Sequence, residues 1–498
     1  VIAKENGFLR LAALLVSSWL SPRAAFAQAN YDGALIGGRS SLMGGTGVAV
    51  GTDAAALTQN PATTIDIEGT SFVFSTFATQ FSRRSIDPGE GLAADVRMGE
   101  AELSQTDFNV LPNATCLFLD LKRTAKRRRG AHKLSFCVTE PERSEFDLTT
   151  RALAVTNAGS GAFQTRFVGQ LYSKKVYSAG WAVGLSERLS VGITPMLEVV
   201  AFDDREAVTT ILSDATSVDD LVGASAQNVT SIMTKRASSV GLSALIGAQY
   251  HFSKLWAAGL SLQFPSLSFT GEYDASRSAE SALLDAAEYT QDRGEARFRY
   301  PFRVAAGLAG AVPGMTFELD AYFHTGKSNF AEINSTRETL GIGSGVVTAL
   351  TSESTTELER VRPTVNVGFG VDVPLGKNWS LVSGLLTDFS GLEPRRSQTL
   401  ADASLFRSRV NSVHGSVGVA WTPRVGSILL GVRGMYGAGE LALSDPRSLP
   451  TERVAVDQTL WSLALVISGQ VTLEMLAMVD PTGLVQEPVE KQKPKNSK

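Results

Sequence analysis

The chain has only two cysteines and four histidines among its 498 residues. His132, His251, His324 and His414 are scattered without metal-ligand spacing, so neither a metal nor a cofactor is expected. Beyond residue 20 there is no run of eighteen apolar residues, which excludes a bundle of membrane-spanning helices. An excess of one charge is also lacking: 46 Lys and Arg face 50 Asp and Glu, for a net charge of -4. That balance leaves no general footprint for nucleic acid. No GxSxG elbow occurs. His414 has Ser412 and Ser416 on the same face of its strand, but residues two apart are neighbours on a face rather than an aligned base and nucleophile, so a membrane esterase is disfavoured and the chain is not read as an enzyme.

Glycine, by contrast, is abundant, with 46 residues. It concentrates early, in GGTGVAVGTDAAALTQNPATT, Gly44 to Thr64. Gly45, Gly47 and Gly51 give GxGxxxG, one position off the dinucleotide fingerprint, and no Lys-Ser/Thr pair follows as in a phosphate-binding loop. A nucleotide fold also needs a buried strand just before the glycines. Here the preceding residues instead read as an export signal. Lys4 and Arg10 form a basic start, Leu11 to Leu20 an apolar stretch, and Ala25-Phe26-Ala27 a small-x-small site, so residues 1–27 are expected to be removed and Gln28 to begin the mature chain.

From residue 69 onward the pattern has period two. Val361, Pro363, Val365, Val367, Phe369, Val371 and Val373 alternate with Arg362, Thr364, Asn366, Gly368, Gly370 and Asp372. Met315, Phe317, Leu319 and Phe323 alternate with Glu318, Asp320, Tyr322 and His324, and Phe298, Tyr300, Phe302, Val304 and Leu308 oppose Arg297, Arg299 and Arg303. A soluble sandwich also alternates, but these segments run about ten to fifteen residues, enough to cross a bilayer at a tilt. Tight connections near residues 186, 253, 313, 376 and 424, with a longer basic turn at Lys122 to Arg129, alternate with long ones over roughly 83–105, 142–162, 204–237, 273–292, 326–359, 391–408 and 439–456. That basic turn is read as solvated, with a site for phosphate-bearing lipid as the other reading. Cys116 and Cys137 flank it on candidate strands and face each other in principle; a bridge and two separate thiols both remain open, because sequence supplies no geometry. Thirteen connections make fourteen strands, and short turns on one side with long loops on the other is the outer-membrane pattern. The segment Phe163 to Leu185 is counted as one strand, although a strand plus a short helix also fits.

Residues 28–68 do not alternate. Thr52 and Asp53 can cap a short helix through Ala54 to Leu57, and Pro61 forces Asn60 out of helical geometry. A compact plug inside the barrel is the expected use of this segment, against the alternative of a loose terminus. Hence the expected fold is all-β: a transmembrane antiparallel β-barrel of about fourteen strands with an N-terminal hatch (28–68), a barrel over 69–475 and a polar tail over 476–498.

The glycine-rich segment ending in Asn60-Pro61-Ala62, followed by long alternating strands, resembles the FadL-type outer-membrane transporters of long-chain fatty acids and aromatic hydrocarbons. Tyr300-Pro301-Phe302-Arg303-Val304 and Asn366-Val367-Gly368 leading to Trp379 are similar to later strands of that family. The resemblance implies that a hydrophobic small molecule or fatty acid is captured at the outer loops, passes to a lumen pocket, and leaves sideways through a kinked third strand when the hatch moves. On that reading Asn60, Pro61, Ala62, Gly45, Gly47 and Gly51 form the hatch, and Ala131 to Pro141 the third strand. Outer-membrane lipid and no nucleic acid are the other expected contacts, the chain acts as a monomer, and the location is the outer membrane of a Gram-negative bacterium. One departure is the polar end after Pro481, where many such barrels stop on an aromatic residue.

A carboxylate headgroup inside a lumen needs a cation. Arg303, Arg362 and Arg433 are the candidates, with an internal salt-bridge ladder through Glu318, Asp320, Asp372 and Asp388 as the structural alternative; Arg303 and Asp320 are expected to be neighbours across a hairpin. Beside passive uptake stands a second functional reading, a structural or secretion-accessory barrel that docks protein partners through its long loops.

Overall fold

A computed structural model describes residues 30–31, 36–87, 96–98, 101–108, 113–122, 128–155, 161–213, 226–281, 285–393, 397–399, 405–423, 426–444 and 452–472. The expected signal, residues 1–27, and the polar tail from 476 lie outside them, as does most of the basic turn after Lys122.

The chain is a closed antiparallel barrel of fourteen strands. In order they are β1 (Ser71–Asp87), β2 (Ala101–Phe108 and Ala114–Lys122), β3 (His132–Val155), β4 (Gly161–Gly184), β5 (Leu189–Ser213), β6 (Ala226–His251) and β7 (Trp256–Gln263 and Leu267–Ser281). The ring continues with β8 (Ala286–Phe298 and Arg303–Val312), β9 (Met315–His324 and Lys327–Gly343), β10 (Val346–Val361 and Thr364–Pro374), β11 (Trp379–Asp388), β12 (Ser408–Trp421), β13 (Gly426–Ser444) and β14 (Glu452–Thr472). Each pairs with the next, and β1 pairs with β14 from Ser71↔Thr472 to Asp87↔Asp457, so the ring closes. Closure pairs the wall's backbone within the protein, which matters at membrane depth because an unpaired amide or carbonyl there has no water to bind.

The expected faces hold through the lower half of the wall. On β13, Ile428, Leu430, Val432 and Tyr436 point outward and are exposed, while Leu429 and Arg433 are buried. From Ile428 to Tyr436 is about eight residue steps, about 27 Å of strand and ~21 Å of height at a tilt near 40°, close to the apolar band of such barrels. Trp256, Trp379 and Trp421 stand on its turn-side border, with Trp379 stacked on Trp421 at 6.1 Å. The upper border shows on β5, where the outward Asp203 takes ion pairs from Arg205 at 2.9 Å and Arg236 at 3.3 Å. The Arg205 hydrogen bond, chiefly, holds Asp203 below the usual carboxylate range.

Two expectations are corrected. The segments read as long loops are mostly strand: β6 runs 26 residues and β5 25, so the wall rises far above the apolar band. Polar residues on both faces of these extensions hid them from a search for apolar alternation. The phase of that alternation also flips where strands break. Phe298 and Tyr300 are buried inside while Leu308 lies outside, so Arg297 and Arg299 face out, paired with Glu295 and Glu332. Across Arg362-Pro363 the same flip turns Val361 inward and Val365 outward. Pro265, Pro301 and Pro363 sit in three such breaks, because proline cannot donate to the ladder. Phe163 to Leu185 lies in a single strand apart from its last residue.

Cys116 and Cys137 are joined by a disulfide between directly paired residues of β2 and β3. Both sulfurs point into the lumen, against Ile36, Ala56 and Leu57.

The outward band generates a test. Val432→Arg at mid-band is expected to destabilise the barrel by about 2–4 kcal/mol in lipid. Urea unfolding in vesicles reads it; a change below the experimental error would mean that this face does not meet lipid.

Candidate functional site

Residues 36–67 fill the lumen. They form α1 (Gly38–Leu42), α2 (Ala55–Gln59) and a 3-10 turn over Pro61–Asp66, and nearly all are buried. A segment that touches β4, β6, β7, β9, β11, β12 and β14 at once has to lie inside the ring. Asp53 caps α2 by accepting from Ala55 N at 3.0 Å and also accepts from Ser40 N at 3.0 Å, tying the two helices together. Asn60 is extended, as Pro61 requires, and α2 stops there.

Asn60 carries the densest set of contacts. Its Nδ2 donates to Val48 O at 2.7 Å and to Ala248 O of β6 at 3.0 Å, and its Oδ1 accepts from Ala62 N at 3.1 Å. Ser190 of β5 donates to Ala62 O at 3.1 Å. Gly247 lies directly behind Asn60, and a Cβ there would overlap the Asn60 side chain. On β9, three strands along the ring from β6, Asp320 Oδ2 accepts from the Gly47 and Val48 amides at 2.8 and 2.9 Å, and Glu318 Oε1 from Ala49 and Val50 at 2.8 and 3.0 Å. Gly45 sits in the turn after α1 at φ +77°, where its amide returns to Ser40 O at 2.8 Å. Gly51 is buried against Thr63, with no room for a side chain. Arg39 pairs with Asp372 at 2.8 Å, and Arg128 with Asp66 at 3.0 Å.

The carboxylates of β9 therefore hold the backbone of the lumen segment and do not form the expected rung with Arg303. In register Arg303 pairs with His324, and Gly307 with Asp320. Arg303 Nη2 donates to Thr58 O at 2.8 Å. Of the three candidate arginines, Arg303 lines a lumen cavity of about 80 Å³ between the segment and the wall. Arg362 is half-buried at the break of β10, where its amide donates to Gly391 O at 2.6 Å. Arg433 is buried further along the ring with His414. The three do not converge on one point of that cavity.

Other cavity residues were not legible in the sequence. Lys174 lies 3.4 Å from Glu142 and 3.5 Å from Glu198, with its ammonium 3.2 Å above the Tyr300 ring. Tyr172 donates to Glu142 at 3.2 Å and shares a hydrogen bond with the Tyr300 hydroxyl. Tyr31 stacks on His324 at 4.3 Å. These residues come from five strands and from residues N-terminal to the first, and only ring closure brings them together.

Above the cavity lies an apolar chamber that includes Tyr172, Phe202, Phe298, Tyr300 and Phe330. The connection from β11 to β12 descends into it. Residues 397–399 of this connection pair with β14, and Leu405, Phe406 and Arg407 then enter the interior. Arg407 is fully buried and bidentate on Asp204 at 2.6 and 2.7 Å, with Glu206 at 2.7 Å and Arg453 close by. Burial opposes its charge, but the two carboxylates outweigh burial and hold its pKa above the ordinary guanidinium value.

Beside the cavity the β2–β3 pairing ends among the described residues. On the β2 side β3 is paired from Lys122↔His132 to Ala114↔Thr139, and Glu140 N donates to Asn113 O at 2.9 Å. Pro141 follows, the register to β4 shifts between Thr139 and Glu142, and from there to Arg151 β3 pairs only with β4 among the described residues. Ala131 to Pro141 is therefore the lower part of a much longer third strand.

The Ser412-His414 pair is close, with Oγ 2.9 Å from Nε2, yet its polarity is wrong for an esterase. Arg433 donates to His414 Nδ1 at 2.6 Å, so Nδ1 is the acceptor and Nε2 carries the hydrogen. The imidazole then donates to the serine instead of taking its proton.

Asn60→Ala removes three hydrogen bonds of about 1 kcal/mol each, so the lumen segment is expected to lose about 2–3 kcal/mol of docking stability. Faster amide exchange at Val48 and Ala62 with unchanged exchange in β13 is the expected reading; unchanged exchange at both would show that Asn60 does not hold the segment.

No protein-family model matches the sequence, and no curated protein matches it. Solved structures do. A FadL homologue of Pseudomonas aeruginosa is 11% identical, with a TM-score of 0.52 over 90% of this chain and 100% of the other. The toluene transporter TodX of Pseudomonas putida is 14% identical, with a TM-score of 0.53 over 89% of this chain and 100% of the other. At such identities the likeness is one of architecture, and it places this chain among the barrels of FadL-type fold.

Proposed function

We propose that this chain is an outer-membrane channel of a Gram-negative bacterium for passive uptake of hydrophobic compounds, with residues 28–68 as hatch, 69–475 as barrel and 476–498 as a tail. Long-chain fatty acids and aromatic hydrocarbons are the substrate classes, and the toluene transporter TodX has the same fold. The observation that carries the reading is the sequence of spaces inside a closed wall. The apolar chamber meets the cavity at Tyr300, and the cavity is bordered by Pro141, just past the last described β2–β3 pair, at the height of the lipid-facing band. A hydrophobic molecule on this path stays out of water and leaves sideways into lipid, which lowers its free energy with every apolar group it buries. The concentration gradient supplies the drive, no catalytic step is involved, and the chain works as a monomer.

Arg303, Arg362 and Arg433 divide the work on this reading. Arg303 meets a carboxylate in the cavity, Arg362 lies near the chamber beside Val361, and Arg433 braces the lumen. Asn60, Pro61, Ala62, Gly45, Gly47 and Gly51 give the hatch its shape, and release of the Asn60 contact to Ala248 frees it from β6.

A barrel that docks protein partners remains a second reading because of one feature: the β9–β10 hairpin rises past the rim with Val346, Val347 and Leu350 exposed. Deletion of Gln28 to Glu68 separates the two. Uptake of a labelled fatty acid and of toluene is expected to fall while heat-modifiable barrel still assembles. Unchanged uptake with loss of a secreted or surface protein would favour docking.

A further inference from the structure

We propose that the chamber above the cavity is a binding site for a single apolar aromatic ring, occupied at rest by the chain's own Phe406 and closed by the Arg407 latch. The proposal deepens the uptake reading, on which its biological meaning rests, by naming the first site inside the barrel and what keeps it shut.

The geometry around Phe406 is that of a bound ring. Its centroid lies 5.4 Å from Tyr172 at 81°, 5.8 Å from Phe202 at 77° and 6.0 Å from Phe330 at 41°. Edge-to-face and tilted contacts at such distances are the ones aromatic rings prefer, because the positive edge of one ring meets the negative face of another. The three partners stand on β4, β5 and the upper part of β9, so the chamber is walled by the barrel itself. Phe406 comes from elsewhere. It belongs to the β11–β12 connection and lies outside the strand ladders, with the Gln170 bond to Leu405 O and the Ala442 amide bond to Arg407 O tying its neighbours to the wall.

What holds it there is polar. Arg407 reaches β5 through Asp204 and Glu206, both above the apolar band. Arg453 and Arg166 also reach Glu206, at 3.4 and 3.6 Å, so these carboxylates keep cationic partners when Arg407 leaves. A latch of this kind is exchangeable, whereas a hydrophobic seam would have to be rebuilt. The floor of the chamber is the Tyr172-Tyr300 hydroxyl pair, which borders the Lys174 cavity below. The aromatic lining suits one ring, and an entering ring competes with Phe406 for the same contacts.

Bromobenzene binding to the purified, detergent-solubilised chain tests this, by titration calorimetry and by anomalous bromine scattering from soaked crystals. Removing an internal competitor raises apparent affinity by the inverse of the open fraction, so Phe406→Ala is expected to bind roughly tenfold or more tightly than wild type. Bromine should then appear between Tyr172, Phe202 and Phe330. Phe406→Leu, which keeps the connection apolar, should show a smaller gain, and Phe406→Trp should lose binding. Arg407→Gln, with Phe406 intact, should also bind more tightly. Equal affinity of wild type and both smaller variants, or bromine elsewhere in the lumen, overturns the proposal. Tighter ring binding in a chain that takes up no hydrophobic compound leaves the chamber standing and removes the uptake reading.

Discussion

The antiparallel ladder that closes the ring, β14 back to β1, is the constraint on which everything else depends. In lipid each backbone amide needs a partner within the protein, and closure supplies it without reference to side chains. The wall side chains are therefore free to divide, with apolar groups outward and charged groups inward. The inward charges are then satisfied by what is threaded through the ring. Asp320 and Glu318 hold four amides of the lumen segment, and Asn60 ties the same segment to β6 on another side of the ring. The wall accepts it closely because glycines such as Gly247 leave space where a side chain would otherwise stand.

The ladder is interrupted at prolines. Pro141 follows the last β2–β3 pair among the described residues, and the breaks at Pro265, Pro301 and Pro363 reverse the facing of the residues above them. That reversal turns Phe298, Tyr300 and Val361 inward, where they join the apolar cluster with Tyr172, Phe202 and Phe330. The disulfide of Cys116 and Cys137 staples β2 to β3 just below the point where their pairing ends.

Much of the barrel could be read directly. Lipid demands a period-two apolar face, and β11, β12 and β13 display it in their residues, so strand existence and count followed from alternation and turn spacing. Asn60-Pro61 marked the end of α2 because proline restricts the residue before it. The upper strand extensions escaped, since water on one side and a mixed lumen on the other impose no apolar period. Arg303 was correctly seen as inward, but its pairing with Asp320 failed because Asp320 sits opposite Gly307, four residues further along. Lys174, Glu142 and Glu198 carried no local signal of a shared site.

By itself the sequence determined the class of the fold, its strand number, the outward band and the compact element ending at Asn60, because each of these is enforced by neighbours along the chain or by the solvent a face meets. Tertiary structure alone decided which lumen charges meet, that Cys116 and Cys137 are joined, and that Phe406 and Arg407 turn inward to β4, β5 and β9. Those contacts join residues about 200 positions apart, as between Arg407 and Asp204, and only the curvature of a closed ring brings them within bonding distance.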